Sequence, residues 1–466
     1  MRKVVRNVSF ALLGNTIAIF ISICMIFVLP RYLSLYDYGT WQLFLFYFSY
    51  VGFLHFGWED GIYLRYAGFN YKELDKSKLL GQVLAVIGSQ CLLGLAIFLL
   101  VNAFMLDGIQ RDIFCFIAVA LILANSNNLF SFIMQMTSRI KDYARLIAFE
   151  PLIFIILVML VLSLGERDYV SLVYCKLTSL TIVCAFGGYL LWDLRHAEVP
   201  CFPAIYVEAK ENIHVGSKLM LANIASMLVI GIVRFGISEG WDVVTFGKIS
   251  LTISISNFLM VFINAVSVVL LPELKHVAES MRQQLYLAGR SLLTAGMLVL
   301  LLTYYPLNWL LSLWLLQYAD ALTYMAVLFP VCMFETRMGL LVSTYLKAMR
   351  QEKLVLKINA ISVIFSILLT IFTVGIIHNL NICIISIVVI FAFRCCLAEM
   401  KLSALLNCQL IGIMVKEMVA IAIFMLTAWF IGGLTGALFY LLTILIYLGN
   451  NWHKLSESIK LLKNNK

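Results

Sequence analysis

Arg234, Lys248, Lys176 and Arg337 interrupt stretches of this 466-residue chain that are otherwise apolar, and so do His55, Glu59 and Asp60. A charge near the centre of a bilayer costs about 2.5–3.5 kcal/mol on insertion scales, so each is a candidate for function. Guanidinium and ammonium groups hold phosphate oxygens, Arg through its fork of donors. Arg234, Lys248 and Lys176 each fall within about 10 Å of the same end of their apolar runs at 1.5 Å per residue. They read either as the electropositive half of a substrate cavity or as side chains that snorkel to the interface. Arg337 lies deeper, and Glu335 stands on another face of its helix, so it reads as a cavity or gate residue. These four form the expected substrate-binding set. His55 and Glu59 share a helical face at i,i+4, Asp60 follows, and Gly57 and Gly61 bracket them. An acid beside a histidine could titrate near neutral pH, and the glycines could loosen the helix. His55, Glu59 and Asp60 are therefore the expected gating or ion-coupling group; the plainer reading is that the acids simply end the run at an interface. A gate is expected in which Glu59 and Asp60 pair with Arg337. Asn15, Asn223, Ser254, Asn257, Asn125 and Asn128 are the expected cavity-lining polar residues, because facing lipid would leave them unpaired.

The elements that carry these residues follow from composition. The chain is 62% hydrophobic and 13% charged, with a mean hydropathy of +0.97. Soluble domains hold about 45–50% apolar and about 25% charged residues. A water-soluble enzyme, a disordered chain, a collagen-like fibre and a disulfide scaffold are excluded. Apolar runs of spanning length fall at 9–29, 40–57, 79–101, 112–135, 146–164, 170–192, 215–237, 243–270, 291–311, 322–345, 356–377, 381–400, 413–431 and 434–449. Lipid forces each into helix, so the expected fold is an all-α polytopic membrane protein with about 14 transmembrane helices. Segments on the amino-terminal side hold 27 of the 34 Lys+Arg, and those on the other side hold 3. That is a positive-inside pattern with both termini cytoplasmic. Trp41, Trp241, Trp309 and Trp314, with Tyr32, Tyr36 and Tyr38, read as the outer aromatic belt. The 11 cysteines show no C-x-x-C pair and read as core residues, not as metal ligands. No loop is long enough for an aqueous catalytic domain, so an enzyme is not expected; a transporter or channel is.

A shift of 208 residues lays the first run on the seventh. Asn15 meets Asn223, Phe27 meets Phe235, Tyr38 meets Phe246, Gly39 meets Gly247 and Leu43 meets Leu251. The copies have the same topology, which is the parallel repeat of rocking transporters. The expected organisation is a six-helix lobe over 1–200, a second over 201–408, and two appended helices with a basic tail over 409–466.

The amino-terminal region carries Asn15, Pro30-Arg31-Tyr32-Leu33, Asp37-Tyr38-Gly39 and Phe56-Gly57-Trp58-Glu59-Asp60-Gly61. In these features it resembles bacterial polysaccharide exporters, the Wzx-like flippases of the multidrug/oligosaccharidyl-lipid/polysaccharide superfamily. The rest of the chain matches in topology and lobe repeat only. The resemblance implies a MATE-like pair of lobes around a cavity. It implies alternating-access transfer of an undecaprenyl-diphosphate-linked oligosaccharide from the cytoplasmic to the outer leaflet of the bacterial inner membrane, for O-antigen (lipopolysaccharide) or capsule synthesis. No cofactor is expected, with coupling to an H+ or Na+ gradient as one option. The expected partners are the lipid-linked oligosaccharide, membrane lipid and polysaccharide polymerase or assembly proteins, and not nucleic acid. The rivals are a peptidoglycan-precursor flippase or a drug/cation antiporter of the same superfamily. A membrane glycan polymerase would want a large outer loop, which is absent.

Overall fold

A spanning segment in lipid must satisfy its backbone internally, and the described residues do so mainly by helix. The computed structural model describes residues 2–104, 107–257 and 279–464, and side chains over these except 2–13, 15, 279, 280 and 462–464. The helices are α1 (Arg2–Tyr32), α2 (Leu35–Val51), α3 (Trp58–Tyr66), α4 (Lys76–Phe104), α5 (Ile109–Met136), α6 (Ile140–Ser163), α7 (Tyr169–Leu190) and α8 (Phe202–Gly240). A ninth helix, α9, is described over 243–257. Then come α10 (Glu279–Leu301), α11 (Tyr304–Trp314), α12 (Met325–Ala348), α13 (Glu352–Ile376), α14 (Leu380–Leu405), α15 (Ile411–Ile431) and α16 (Gly433–Asn464). The apolar runs fall on these helices and the short turns between them, except 258–270 of the eighth run, which lies outside the described residues. Among the described residues, 11 helices are long and apolar enough to cross a bilayer by themselves. The second run, 40–57, covers most of α2 and the break that follows it, and α3 begins just beyond the run.

The chain forms two compact units, Met1–Ile224 and Ala225–Lys466. The division falls inside α8. The first part of α8 packs with the first unit, where Arg65 reaches Glu208 and Glu211. Its last part packs with the second, where the Ser366 hydroxyl donates to the Val229 carbonyl at 2.8 Å. With 39 residues, α8 is about 58 Å long, well beyond a ~30 Å hydrocarbon core. Much of the polar stretch before residue 215 is therefore a helical extension, where the sequence suggested a loop.

The internal repeat extends to the helix ends. α1 stops at Tyr32 and α8 at Gly240; α2 starts at Leu35 and α9 at 243. Both offsets equal the 208-residue shift. The caps repeat too: Ser34 Oγ accepts from the Asp37 N–H at 3.0 Å, and Asp242 Oδ1 accepts from the Thr245 N–H at 2.9 Å. Such side-chain caps satisfy N–H groups that the first turn leaves open. Tyr38 and Phe246 are equally buried, as are Leu43 and Leu251.

Two expectations are corrected. Trp41 and Tyr38 are buried and pack inside the first unit, Trp41 stacking on Phe44 and Phe154. They are core residues and not belt anchors, whereas Tyr32, Tyr36, Trp309 and Trp314 are exposed. Arg290 and Arg394, assigned to loops by charge alone, lie buried within α10 and α14.

Candidate functional site

The helix α2 ends at Val51 and α3 begins at Trp58, with irregular backbone between them. Between Val51 and Trp58 the chain turns through Phe56 (φ 54°) and Gly57 (φ 81°), both left-handed. That conformation is natural for Gly and strained for Phe. Freed carbonyls have no water to turn to at membrane depth, so protein donors must meet them. Asn125 Nδ2 donates to the Val51 carbonyl at 3.3 Å and Gln90 Nε2 to the Leu54 carbonyl at 3.3 Å. Asn125 Nδ2 also donates to Gln90 Oε1 at 2.7 Å. Asn125 is thus buried in this bracket.

Of the expected gating group, His55 lies within the break, and Glu59 and Asp60 lie in the first turn of α3 and not at the end of a helix. His55 Nδ1 accepts from the Gly57 N–H at 3.0 Å, and its Nε2 lies 3.8 Å from Asp60 Oδ2. Glu59 is 0% exposed. Among the described residues, neither of its oxygens has a hydrogen-bond partner. α3 lies against α8 with backbones nearly touching: a Cβ on Gly61 would come 1.9 Å from the Asn212 carbonyl oxygen, and one on Gly216 1.9 Å from that of Gly57. Gln82 ties the crossing, accepting from Trp58 Nε1 at 2.8 Å and from Asn212 Nδ2 at 3.2 Å. Arg65 closes its end with Glu208 and Glu211, each at 2.7 Å.

A cavity of about 460 Å³ lies in the first unit, among α1, α2, α5, α6 and α7. Its polar wall holds Ser22, Ser49, Asn127, Asn128, Ser131 and the Lys176–Glu150 pair. Lys176 Nζ is 2.5 Å from Glu150 Oε1 and lies over the rings of Phe48 and Phe154, at 5.2 and 5.6 Å. Asn127 Nδ2 donates to the Leu180 carbonyl at 3.1 Å, and its Oδ1 is buried with no partner among the described residues. Asn128 lines this first-unit cavity. The sequence reading missed Glu150, whose signal was an acid just before Pro151 within an apolar run.

In the second unit the deepest charges neutralise one another. Arg290 Nε is 2.8 Å from Glu399 and its NH1 2.7 Å from Glu417. Arg337 NH1 is 3.3 Å from Glu399 and 3.0 Å from Glu417. Arg337 NH2 donates to the Thr294 hydroxyl at 3.2 Å. All four side chains are 2% exposed or less. Arg337 is buried, and its guanidinium meets two carboxylates, Glu399 and Glu417. Arg394 does the same nearby, meeting Glu335 at 2.7 Å and Ser226 at 2.9 Å. A π-helical turn, Arg337–Ser343, starts at Arg337; such turns are frequent at functional sites. Sequence reasoning missed Arg290, Arg394, Glu399 and Glu417. Their signal was charge inside or at the edge of the apolar runs; the charge count placed the two arginines in loops, and the two acids went unassigned.

The other expected residues stand apart. Arg234 is half-buried, donates to the Ser250 hydroxyl at 3.1 Å and lies 5.4 Å from the Phe246 ring centroid. Lys248 is half-buried and 3.3 Å from the exposed Asp320. Asn223 and Asn257 are exposed and Ser254 is half-buried. The Asn15 side chain lies outside the described residues.

With the geometry in place, comparison with solved structures decides the fold. The lipid II flippase MurJ, in its inward closed conformation, superposes with a TM-score of 0.64 at 12% identity, covering 97% of this chain and 99% of that one. This chain has the fold of MOP superfamily transporters. An inward-facing multidrug resistance MATE family transporter of that superfamily matches with a TM-score of 0.62 at 13% identity, covering 84% of this chain and 98% of that one. No family model matches the sequence. No curated protein matches it either.

Proposed function

We propose that the protein is a flippase for an undecaprenyl-diphosphate-linked oligosaccharide. It would work by alternating access from the cytoplasmic to the outer leaflet of a bacterial inner membrane, with both termini cytoplasmic, in O-antigen or capsule synthesis. One observation carries the reading. The fold of a lipid II flippase extends over 97% of the chain, whereas the MATE transporter accounts for 84%. A lipid-linked sugar is the kind of cargo named for the neighbour that matches end to end. The amino-terminal resemblance to polysaccharide exporters selects the oligosaccharide.

Arg234 and Lys248 are the residues we assign to the diphosphate, since each is half-buried and within reach of solvent. His55, Glu59 and Asp60 are assigned to ion coupling, supported by the two Glu59 oxygens that no described donor meets. The test is transport of a fluorescent undecaprenyl-diphosphate oligosaccharide in proteoliposomes. Leaflet exchange that Arg234→Ala with Lys248→Ala reduces about tenfold or more, a loss of one charge-assisted contact or better, supports the reading. Absence of exchange in a preparation that exports organic cations would replace it with the antiporter reading. The peptidoglycan-precursor alternative draws on the same fold match. It is separated by offering lipid II in the same assay.

A further inference from the structure

The first-unit cavity holds two opposite charges and is neutral overall. Lys176 and Glu150 cancel each other at 2.5 Å. A diphosphate drawn to Lys176 would meet the Glu150 carboxylate beside it. An organic cation drawn to Glu150 would meet the ammonium. Both would have to break a pair that packs among Phe48, Phe154 and apolar helix, where separating charges is costly. The other polar residues of the wall are neutral and hydrogen-bonding, Ser22, Ser49, Asn127, Asn128 and Ser131, and the rest of the lining is apolar, Phe48 among it. Asn127 Oδ1 is a buried acceptor with no described donor, and buried acceptors are normally satisfied. A donor from a ligand would fill it. The volume, about 460 Å³, lies in the small-molecule range of ~300–1,000 Å³.

We infer that this cavity is a subsite for an uncharged sugar residue, held by hydroxyl-to-amide hydrogen bonds with one apolar face against Phe48. The inference rests on the flippase reading. It adds that the glycan docks in the first unit by neutral contacts, separately from whatever binds the diphosphate. Charge neutrality is the specificity device, and Glu150 sets it: without the carboxylate, Lys176 would leave the cavity cationic.

The experiment uses full-length protein in nanodiscs and saturation-transfer-difference NMR. The probes are glucose, galactose, N-acetylglucosamine, N-acetylgalactosamine, inorganic pyrophosphate and tetraphenylphosphonium. At least one sugar should receive saturation, and the two ions should not. Asn128→Leu, at an exposed position of the wall, and Phe48→Leu should each weaken that signal about tenfold, with the melting temperature of each variant confirming that it folds. Glu150→Gln should gain competition by pyrophosphate. No signal from any of the sugars overturns the inference. So does pyrophosphate or tetraphenylphosphonium binding to the unaltered protein that Asn128→Leu weakens, or a sugar signal that neither Asn128→Leu nor Phe48→Leu changes. Sugar binding in a protein that fails to move the lipid-linked oligosaccharide removes the flippase reading and supports the subsite. Transport with sugar signals indifferent to both variants does the reverse.

Discussion

At the residue scale, the buried charges of the second unit are the point where chemistry and stability must be kept apart. Removing one member of a buried, hydrogen-bonded ion pair leaves an uncompensated charge and costs about 3–5 kcal/mol. Arg337→Met or Glu417→Leu should therefore lower the melting temperature of the purified protein sharply. Replacing all four of Arg290, Arg337, Glu399 and Glu417 by apolar residues of similar volume should recover most of the loss, because no orphan charge is left. Reduced transport at unchanged thermal stability in Arg337→Met would instead return Arg337 to the substrate-binding set. Outside the membrane, Asp193 offers a pH test. Burial acts to raise its carboxyl, but hydrogen bonds from Lys76 and Tyr71, with the Lys76 charge, outweigh it and hold the group below the usual carboxylate range. A depressed folded value means that ionisation stabilises the fold. The contribution is present above the unfolded value of about 3.9 and is lost as pH falls through the folded one. The difference in melting temperature between the parent protein and Asp193→Asn should be constant from pH 6 to 8 and shrink toward zero near pH 3. A difference that persists at pH 3 would detach it from the Asp193 charge.

At the element scale, the α3–α8 crossing depends on the absence of side chains. Gly61 and Gly216 face backbone carbonyls at distances no Cβ can occupy, and backbone cannot swing aside as a flexible side chain can. Gly61→Ala should cost about 3 kcal/mol or more, the upper end of overpacking. Gly88→Ala in α4, where nothing lies within 4 Å of the added carbon, should be neutral or stabilising by up to about 1 kcal/mol through helix propensity. Thermal unfolding of the two variants side by side checks the contrast, and similar midpoints would mean that the crossing is looser than described. Gln90→Leu should cost about 1–3 kcal/mol by leaving the Leu54 carbonyl and Asn125 with fewer partners.

At the scale of the whole molecule, the charge asymmetry of the loops predicts an orientation with both termini cytoplasmic. In a cysteine-free background, cysteines at Asp107 and Glu166 should react with an impermeant thiol reagent added to intact cells, and cysteines at Lys141 and Lys353 should not. All four positions are exposed, so silence cannot be blamed on burial. Outside labelling at Lys141 would reverse the assigned sides. Within the second unit, α15 and α16 are fastened to the preceding helices by polar contacts. Glu417 on α15 holds Arg290 and Arg337, and the Tyr440 hydroxyl on α16 donates to the Leu298 carbonyl of α10 at 2.9 Å.

What the sequence determined by itself was everything governed by local and periodic rules. The apolar runs set the helices, because lipid permits nothing else. The 208-residue shift set the repeat, because equivalent caps and buried aromatics recur at fixed spacing. Gly57 and Gly61 marked a loosened second span, because left-handed backbone and close approach both call for glycine. The pairings were not legible. Arg337 and Glu399 are 62 residues apart in the chain, and Arg290 and Glu417 are 127 apart. Nothing in a single sequence distinguishes a buried arginine that meets a carboxylate from one that awaits a phosphate. Tertiary packing decided it, because only packing sets whether an opposite charge lies within a few ångströms, where the Coulomb attraction can offset desolvation. The same holds for Glu150, whose partner Lys176 arrives from the next helix and turns an apparent cation site into a neutral cavity.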